Sequence, residues 1–246
     1  MTEPSFLVRQ GRARIAYRRM AGRGPTIVFL PGYRSDMQGG KAVALEAWAR
    51  ARGQAMIRFD YAGCGESSGD FAEQTLTGWR DDALAVIDSL TEGPLVLVGS
   101  SMGGWLMLLV ARDRADRIAG LVGIAAAPDF TDWGFTQEEK MTILSAGKLE
   151  RPSDYAPEPE LTTRAFWSSG EANRLLHAQI AIDAPVRLIH GMADADVPWK
   201  YAAHIAQNLR SADVQVTLVK DGGHRLSRES DIALITAAVA ELSETS

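Results

Sequence analysis

Short apolar runs, each too brief for a helix, recur along this chain and are separated by segments with helical spacing. Thr26–Leu30, Ala55–Phe59, Leu95–Val98, Ile118–Ala126, Pro185–Ile189 and Val214–Leu218 are rich in Val, Ile and Leu, as buried strands are. Between them, Lys41–Arg52 offers Val43, Leu45, Ala47 and Trp48 at helical spacing. Leu76–Leu90 sets Leu76, Trp79, Ala83, Val86, Ile87 and Leu90 on one face, and Met102–Arg112 is apolar on most faces. A last helix is expected from about Arg228 to Leu242. Fully apolar strands alternating with helices predict an α/β fold with a mostly parallel, doubly wound sheet covered on both faces. Phe6–Arg9 and Arg14–Met20 read as an antiparallel hairpin at its edge.

One stretch breaks the rhythm. From Asp129 to about Asp183 there is no strand signal, only two helical pieces near Gln137–Ala146 and Leu161–Ala178, joined by the proline-rich Arg151–Pro159. Phe130, Trp133, Phe135, Phe166 and Trp167 make it too apolar for a solvated tether. The expectation is a helical cap, residues 129–183, inserted into a single domain spanning 1–246. An apolar content of 46% over 246 residues suffices for one sizeable core. With a net charge of −5 and no basic stripe, nucleic acid is not an expected partner. No apolar stretch has the length of a membrane span, and Met1–Arg12 lacks a signal-peptide core. The arginines at 9, 12, 14, 18 and 19 suggest a transit peptide, but the alternation from Arg14 to Arg18 reads better as a strand. Cys64, the only cysteine, cannot form an internal disulfide. Together these features predict a cytoplasmic location and no membrane insertion; they leave the oligomeric state open.

The chemistry concentrates at Gly99-Ser100-Ser101-Met102-Gly103, which ends an apolar strand and opens an apolar helix. In that context G-x-S-x-G is a nucleophile elbow. The serine stands on a sharp turn, and its neighbours two before and two after must be tiny because strand and helix nearly touch. A serine needs a base held by an acid, in the chain order Ser, Asp or Glu, His. Asp194 follows the Pro185–Ile189 strand, and His224 follows the Val214–Leu218 strand in Asp221-Gly222-Gly223-His224. Each candidate thus sits at a strand's C-terminal end, where active groups collect in open parallel sheets. Asp196 competes with Asp194 for the acid role. Of the four histidines, His177 falls in the insertion, His204 in a helix, and His190 ends a strand as a packing or loop-fixing residue. His190, Asp194 and Asp196 cluster in sequence, but no second histidine at ligand spacing supports a metal site.

Two backbone N–H groups are expected to face a developing oxyanion: that of Met102 at the helix start and that of Tyr33, after Pro31-Gly32. Gly32 would let backbone approach a ligand closely. Asp60–Ser67 contains G-x-G after a strand but lacks the third glycine and the helix of a dinucleotide site, so it reads as a structural turn with Cys64 a small loop residue. Trp133 and Phe135 are candidates for an apolar wall over an acyl group.

Taken together, these residues resemble the α/β-hydrolase superfamily over essentially the whole chain. Asp60–Ser67 matches its D-x-x-G-x-G-x-S loop and His190–Pro198 its H-G-x-x-D-x-x-V-P segment. Phe29–Tyr33, Ile57–Tyr61, Val98–Leu108, Leu188–Met192 and Val197–Trp199 look like the abhydrolase-domain group of mitochondrial palmitoyl-protein thioesterases and acyl-glucuronide esterases. The resemblance implies an α/β-hydrolase fold and Ser101, Asp194 and His224 as the triad. Gly223 departs from that group, which carries Asp before its catalytic histidine. The expected activity is ester or thioester hydrolysis of a small-molecule or acylated substrate, with no cofactor and no metal. A receptor on a hydrolase scaffold and a carbon–carbon bond hydrolase are the alternatives.

Overall fold

A computed structural model of the chain describes residues 3–153, 157 and 159–244. Strands β1 (Ser5–Leu7) and β2 (Ile15–Met20) form the expected hairpin, with Phe6 opposite Ala16. Then come β3 (Arg23–Leu30), α1 (Gly40–Arg52), β4 (Gln54–Phe59), α2 (Leu76–Leu90), β5 (Leu95–Ser100), α3 (Met102–Asp113) and β6 (Ile118–Ile124). The segment that follows holds α4 (Phe130–Trp133), α5 (Gln137–Ala146), β7 (Lys148–Arg151), β8 (Glu160–Thr163) and α6 (Arg164–Ala172). The chain finishes with β9 (Val186–Gly191), α7 (Lys200–Asn208), β10 (Val214–Val219) and α8 (Glu229–Glu244).

Among the described residues, one sheet runs in the order β1-β2-β4-β3-β5-β6-β9-β10. It is parallel from β4 to β10 and antiparallel where β2 joins β4 and β1 joins β2. Alternation along each strand sends successive side chains to opposite faces. In β5, Leu95 and Leu97 join Trp79, Trp105, Leu106 and Ile205 on one face. Val96 and Val98 join Leu45, Ala49, Ile235 and Val239 on the other. Both faces of β5 are therefore dry, which is why its sequence is apolar without interruption. Local signals set the helix ends. Thr75 accepts from the Gly78 N–H at 3.0 Å to start α2, and Gly53, at φ 62°, closes α1.

The segment between β6 and β9 differs from the expected all-helical cap. The first helical piece is α5, with the bounds expected for it, but the second begins as strand: β8 pairs antiparallel with β7, Leu149 opposite Thr162, and α6 spans only Arg164–Ala172. Gly147, at φ 83°, stops α5 and turns the chain into the hairpin. Lys148-Leu149-Glu150-Arg151 alternates, but with one apolar residue among three charged ones the pattern carries little strand signal. Of the proline-rich joint, Asp154, Tyr155, Ala156 and Glu158 lie outside the described residues.

Asp129, the residue that opens this segment, fastens its far end. It is buried and left-handed at φ 57°, and its carboxylate accepts the N–H groups of Leu175 at 2.8 Å and Leu176 at 2.7 Å. Burial raises its proton affinity, and these two N–H groups oppose the rise. Further bonds tie the segment to the loop after β3 and to α3 and α2: among them, Tyr33 Oη donates to the Leu161 carbonyl, Trp105 Nε1 to the Asn173 carbonyl at 3.1 Å, and Asn173 Nδ2 to Thr77 Oγ1 at 2.9 Å.

Candidate active site

The site grows from the turn between β5 and α3. Ser101 stands there at φ 55°, ψ −121°, a conformation costly for a residue with a Cβ. Its backbone is held on both sides: its N–H donates to the Ile124 carbonyl at 2.9 Å, and its carbonyl accepts from Gly104 at 2.8 Å and Ala127 at 3.0 Å. The glycines answer a steric need. A Cβ on Gly99 would lie 2.4 Å from the Gly103 carbonyl oxygen, and one on Gly103 would lie 2.0 Å from that of Leu30. Only glycine lets β3, β5 and α3 meet this closely.

The two other loops converge through a similar contact. A Cβ on Gly191, at the end of β9, would lie 2.1 Å from the Gly222 carbonyl oxygen. The Met192 and Ala193 N–H groups donate to the Val219 and Gly222 carbonyls at 2.8 and 2.9 Å. The loop after β9 is thus tied to the loop after β10. Across this junction His224 Nδ1 lies 2.8 Å from Asp194 Oδ2, and His224 Nε2 lies 3.1 Å from Ser101 Oγ. A carboxylate can only accept, so Nδ1 carries the proton and Nε2 is left to accept from the serine hydroxyl. The structure brings Ser101, His224 and Asp194 together in one chain of hydrogen bonds.

Asp194 is held from every side. Its Oδ1 accepts the N–H groups of Asp196 at 2.9 Å and Val197 at 2.8 Å, and its side chain is shielded from solvent. Its Oδ2 faces His190 Nε2 at 3.2 Å as well as His224. Burial alone would raise its proton affinity; hydrogen bonds from His190, His224 and Val197 outweigh that and hold the carboxyl well below the usual carboxylate range. Asp196 is exposed, and its backbone N–H serves Asp194. One ligand atom from each of Asp194, Asp196 and His224 lies within 4.8 Å of the others, a spacing that could hold an ion. Both oxygens of Asp194 are engaged in hydrogen bonds, Oδ1 with the Asp196 and Val197 N–H groups and Oδ2 with His224.

Met102, the first residue of α3, has a backbone N–H without an intrahelical acceptor. Gly32 lies against the nucleophile: a Cβ on it would be 3.4 Å from Ser101 Cβ. Tyr33, next in sequence, has its ring packed against Phe71, Trp79, Phe130 and Phe166. Burial pushes its phenol proton affinity up. Trp133 donates from Nε1 to the Pro128 carbonyl at 2.8 Å and stacks on Tyr201 with centroids 4.2 Å apart. Phe135 lies beneath the Arg151 guanidinium, 4.4 Å from its ring centroid. Both aromatic residues therefore have packing partners within or beside the cap.

The Asp60–Ser67 loop is the structural turn its sequence suggests. Asp60 accepts from Met37 N–H at 2.6 Å and Glu66 N–H at 2.8 Å, and burial pushes the neighbouring Cys64 thiol up to about 12, far from thiolate chemistry at neutral pH. Sequence reasoning missed two residues of the site's surroundings. His190 reaches Asp194, a contact its i, i+4 spacing could have suggested. Lys41, at the start of α1, donates to the Arg225 carbonyl at 2.5 Å, and nothing local in the sequence signals that.

Comparison with known proteins agrees with this architecture. The model of the "Alpha/beta hydrolase family" matches residues 27–237. The chain is 41% identical to human "Palmitoyl-protein thioesterase ABHD10, mitochondrial" over 98% of its own length and 80% of that protein. It superposes on the mouse alpha/beta hydrolase domain-containing protein 10 with a TM-score of 0.92 at 40% identity, covering 99% of both chains. A hydrolase from Agrobacterium vitis S4 superposes with a TM-score of 0.90 at 37% identity, covering 99% of this chain and 98% of that one. These relatives overturn the expected cytoplasmic location: the human and mouse proteins are both named as mitochondrial. That expectation rested on the lone cysteine, the lack of an apolar leader or membrane span, and the reading of Arg14–Arg18 as a strand and not a transit peptide; the strand is present as β2, but none of these features bears on the compartment in which the relatives are named. Fold, whole-length identity and family match agree, and the chain is an enzyme of the alpha/beta hydrolase family.

Proposed function

We propose that this chain hydrolyses carboxylic esters or thioesters, with acylated molecules of the kind named for its thioesterase relatives as the favoured substrate class. The observation that carries the proposal is the 3.1 Å approach of His224 Nε2 to Ser101 Oγ, with Asp194 2.8 Å behind the imidazole. Ser101 Oγ attacks the acyl carbonyl carbon while its proton passes to His224 Nε2. Asp194 fixes the tautomer and stabilises the imidazolium that forms. The N–H groups of Met102 and Tyr33 take the oxyanion, each such donor contributing about 3 kcal/mol to the transition state. His224 then gives its proton to the departing alcohol or thiol. Water, deprotonated by His224, releases the acid from the acyl-enzyme. Each step uses groups of the chain itself. The aromatic cluster of Tyr33, Phe130, Phe135 and Phe166 supports an apolar acyl group, with Phe135 and Trp133 acting on it by shaping the cap.

A chain-length series of p-nitrophenyl esters and acyl thioesters tests this. Wild-type enzyme is expected to turn them over and to be labelled by a fluorophosphonate. Ser101→Ala should lose at least about 1000-fold in kcat, the order seen when a triad member is removed. Turnover that survives in Ser101→Ala would remove Ser101 from the mechanism.

A further inference from the structure

We propose that His190 is a positioning residue for hydrolysis: its imidazole lies against Asp194 Oδ2, the oxygen that receives His224, and holds the carboxylate in line with that histidine. The inference rests on the proposed triad. Its basis is a geometry at the end of β9. His190 is 1% exposed, and its Nε2 lies 3.0 Å from the Val197 carbonyl oxygen and 3.2 Å from Asp194 Oδ2. A carbonyl oxygen has no proton to give, so Nε2 must carry one. That N–H donates to the Val197 carbonyl and fixes the tautomer of His190, and the same edge of the ring stands beside the oxygen that receives His224.

Asp194 Oδ2 thus stands between two imidazoles, bonded to His224 Nδ1 with His190 Nε2 3.2 Å away, while Oδ1 is filled by two backbone N–H groups. The second imidazole keeps the carboxylate from swinging about its Cα–Cβ bond, so Oδ2 stays in line with His224. Packing alone would not require the placement on Oδ2. The other charged groups facing this centre are Asp196, beside His224 and Asp194, and Glu160 of β8, which acts on both His224 and Asp196 and is itself opposed by Arg151 and Arg34. These groups stay in place in the variants below.

The test compares His190→Phe, which keeps an aromatic ring and removes the donor, with His190→Gln, whose amide N–H can reach the same two oxygens. The readout is kcat and KM on a short p-nitrophenyl ester. His190→Phe is expected to lower kcat about tenfold or more with little change in KM, the order for losing one polar contact to a charged group. His190→Gln should restore most of kcat. If Phe does not fold, His190→Met and His190→Leu remove the donor with less bulk. A donor-free variant with the wild-type kcat overturns the inference, even if its melting temperature falls; so does a Gln variant as impaired as Phe. Ser101→Ala in parallel separates the two levels. Loss of turnover there with a normal His190→Phe leaves the triad standing and removes only the role of His190.

Discussion

Ser101 carries backbone strain at the position proposed for the nucleophile. Its φ of 55° and ψ of −121° suit glycine better than any residue with a Cβ, and three backbone hydrogen bonds hold it there. Alanine normally stabilises a chain relative to glycine, because it loses less backbone entropy on folding. Here the order should reverse. Ser101→Gly and Ser101→Ala both lack the hydroxyl, but only Ala keeps the strained Cβ. Urea denaturation should find the Gly variant more stable by about 1 kcal/mol, strain relief outweighing the entropy term. Equal stability, or the usual order, would mean the turn is not strained.

At the scale of elements, close approach between strands and helices decides where function can be built. Gly103→Ala would drive a methyl group into the Leu30 carbonyl and push α3 away from β3, at a cost of about 3 kcal/mol. Gly40, at the start of α1, has nothing within 4 Å of an added Cβ. Thermal melts should show Gly40→Ala within about 0.5 kcal/mol of wild type, as for a surface change. Helix α1 also reaches the histidine loop through Lys41. Burial, helped by Arg225, lowers its ammonium to about 8, while the unfolded chain keeps the ordinary, higher value. Between those two values the unfolded state binds more protons, so this group makes the fold more stable as pH rises through the window. Denaturation at pH 7.5 and pH 10 should show that gain in wild type, and a smaller one in Lys41→Met.

Sequence reasoning succeeded where local pattern and tertiary demand coincide. β5 and α3 are apolar on every side because they lie between two cores, and the G-x-S-x-G turn is written in adjacent residues. The meeting of Asp194 and His224 with Ser101 was legible because each follows a strand of the same parallel sheet. The β7–β8 hairpin was not, since it is stabilised by partners across the cap and not by an apolar alternation of its own. His190 read as a packing or loop-fixing residue, and its bond to the Val197 carbonyl is of the second kind; its approach to Asp194 was not legible because it depends on where Oδ2 points. Trp133 and Phe135 carried the right chemistry for a pocket wall, but their stacking on Tyr201 and Arg151 comes from folding and is invisible in spacing.

For the molecule as a whole, the polar contacts that hold the segment above the sheet can be measured one at a time. Tyr33→Phe removes the hydroxyl that reaches Leu161 while leaving the ring in its cluster. Losing one neutral hydrogen bond should cost about 1 kcal/mol, or a drop in Tm of about 2–4 °C for a chain of this size. If the backbone N–H of Tyr33 is the group that serves the oxyanion, kcat on a short ester should change less than twofold. A large loss of kcat would instead give the phenol itself a part in the chemistry.

The clasp at Asp129 has a wider consequence. One carboxylate gathers residues 129, 175 and 176, so the excursion between them leaves and rejoins the platform at a single point. Such a seam allows exchange: a relative's excursion, spliced in with its own clasp, could alter which acyl groups are admitted while the machinery underneath keeps its alignment.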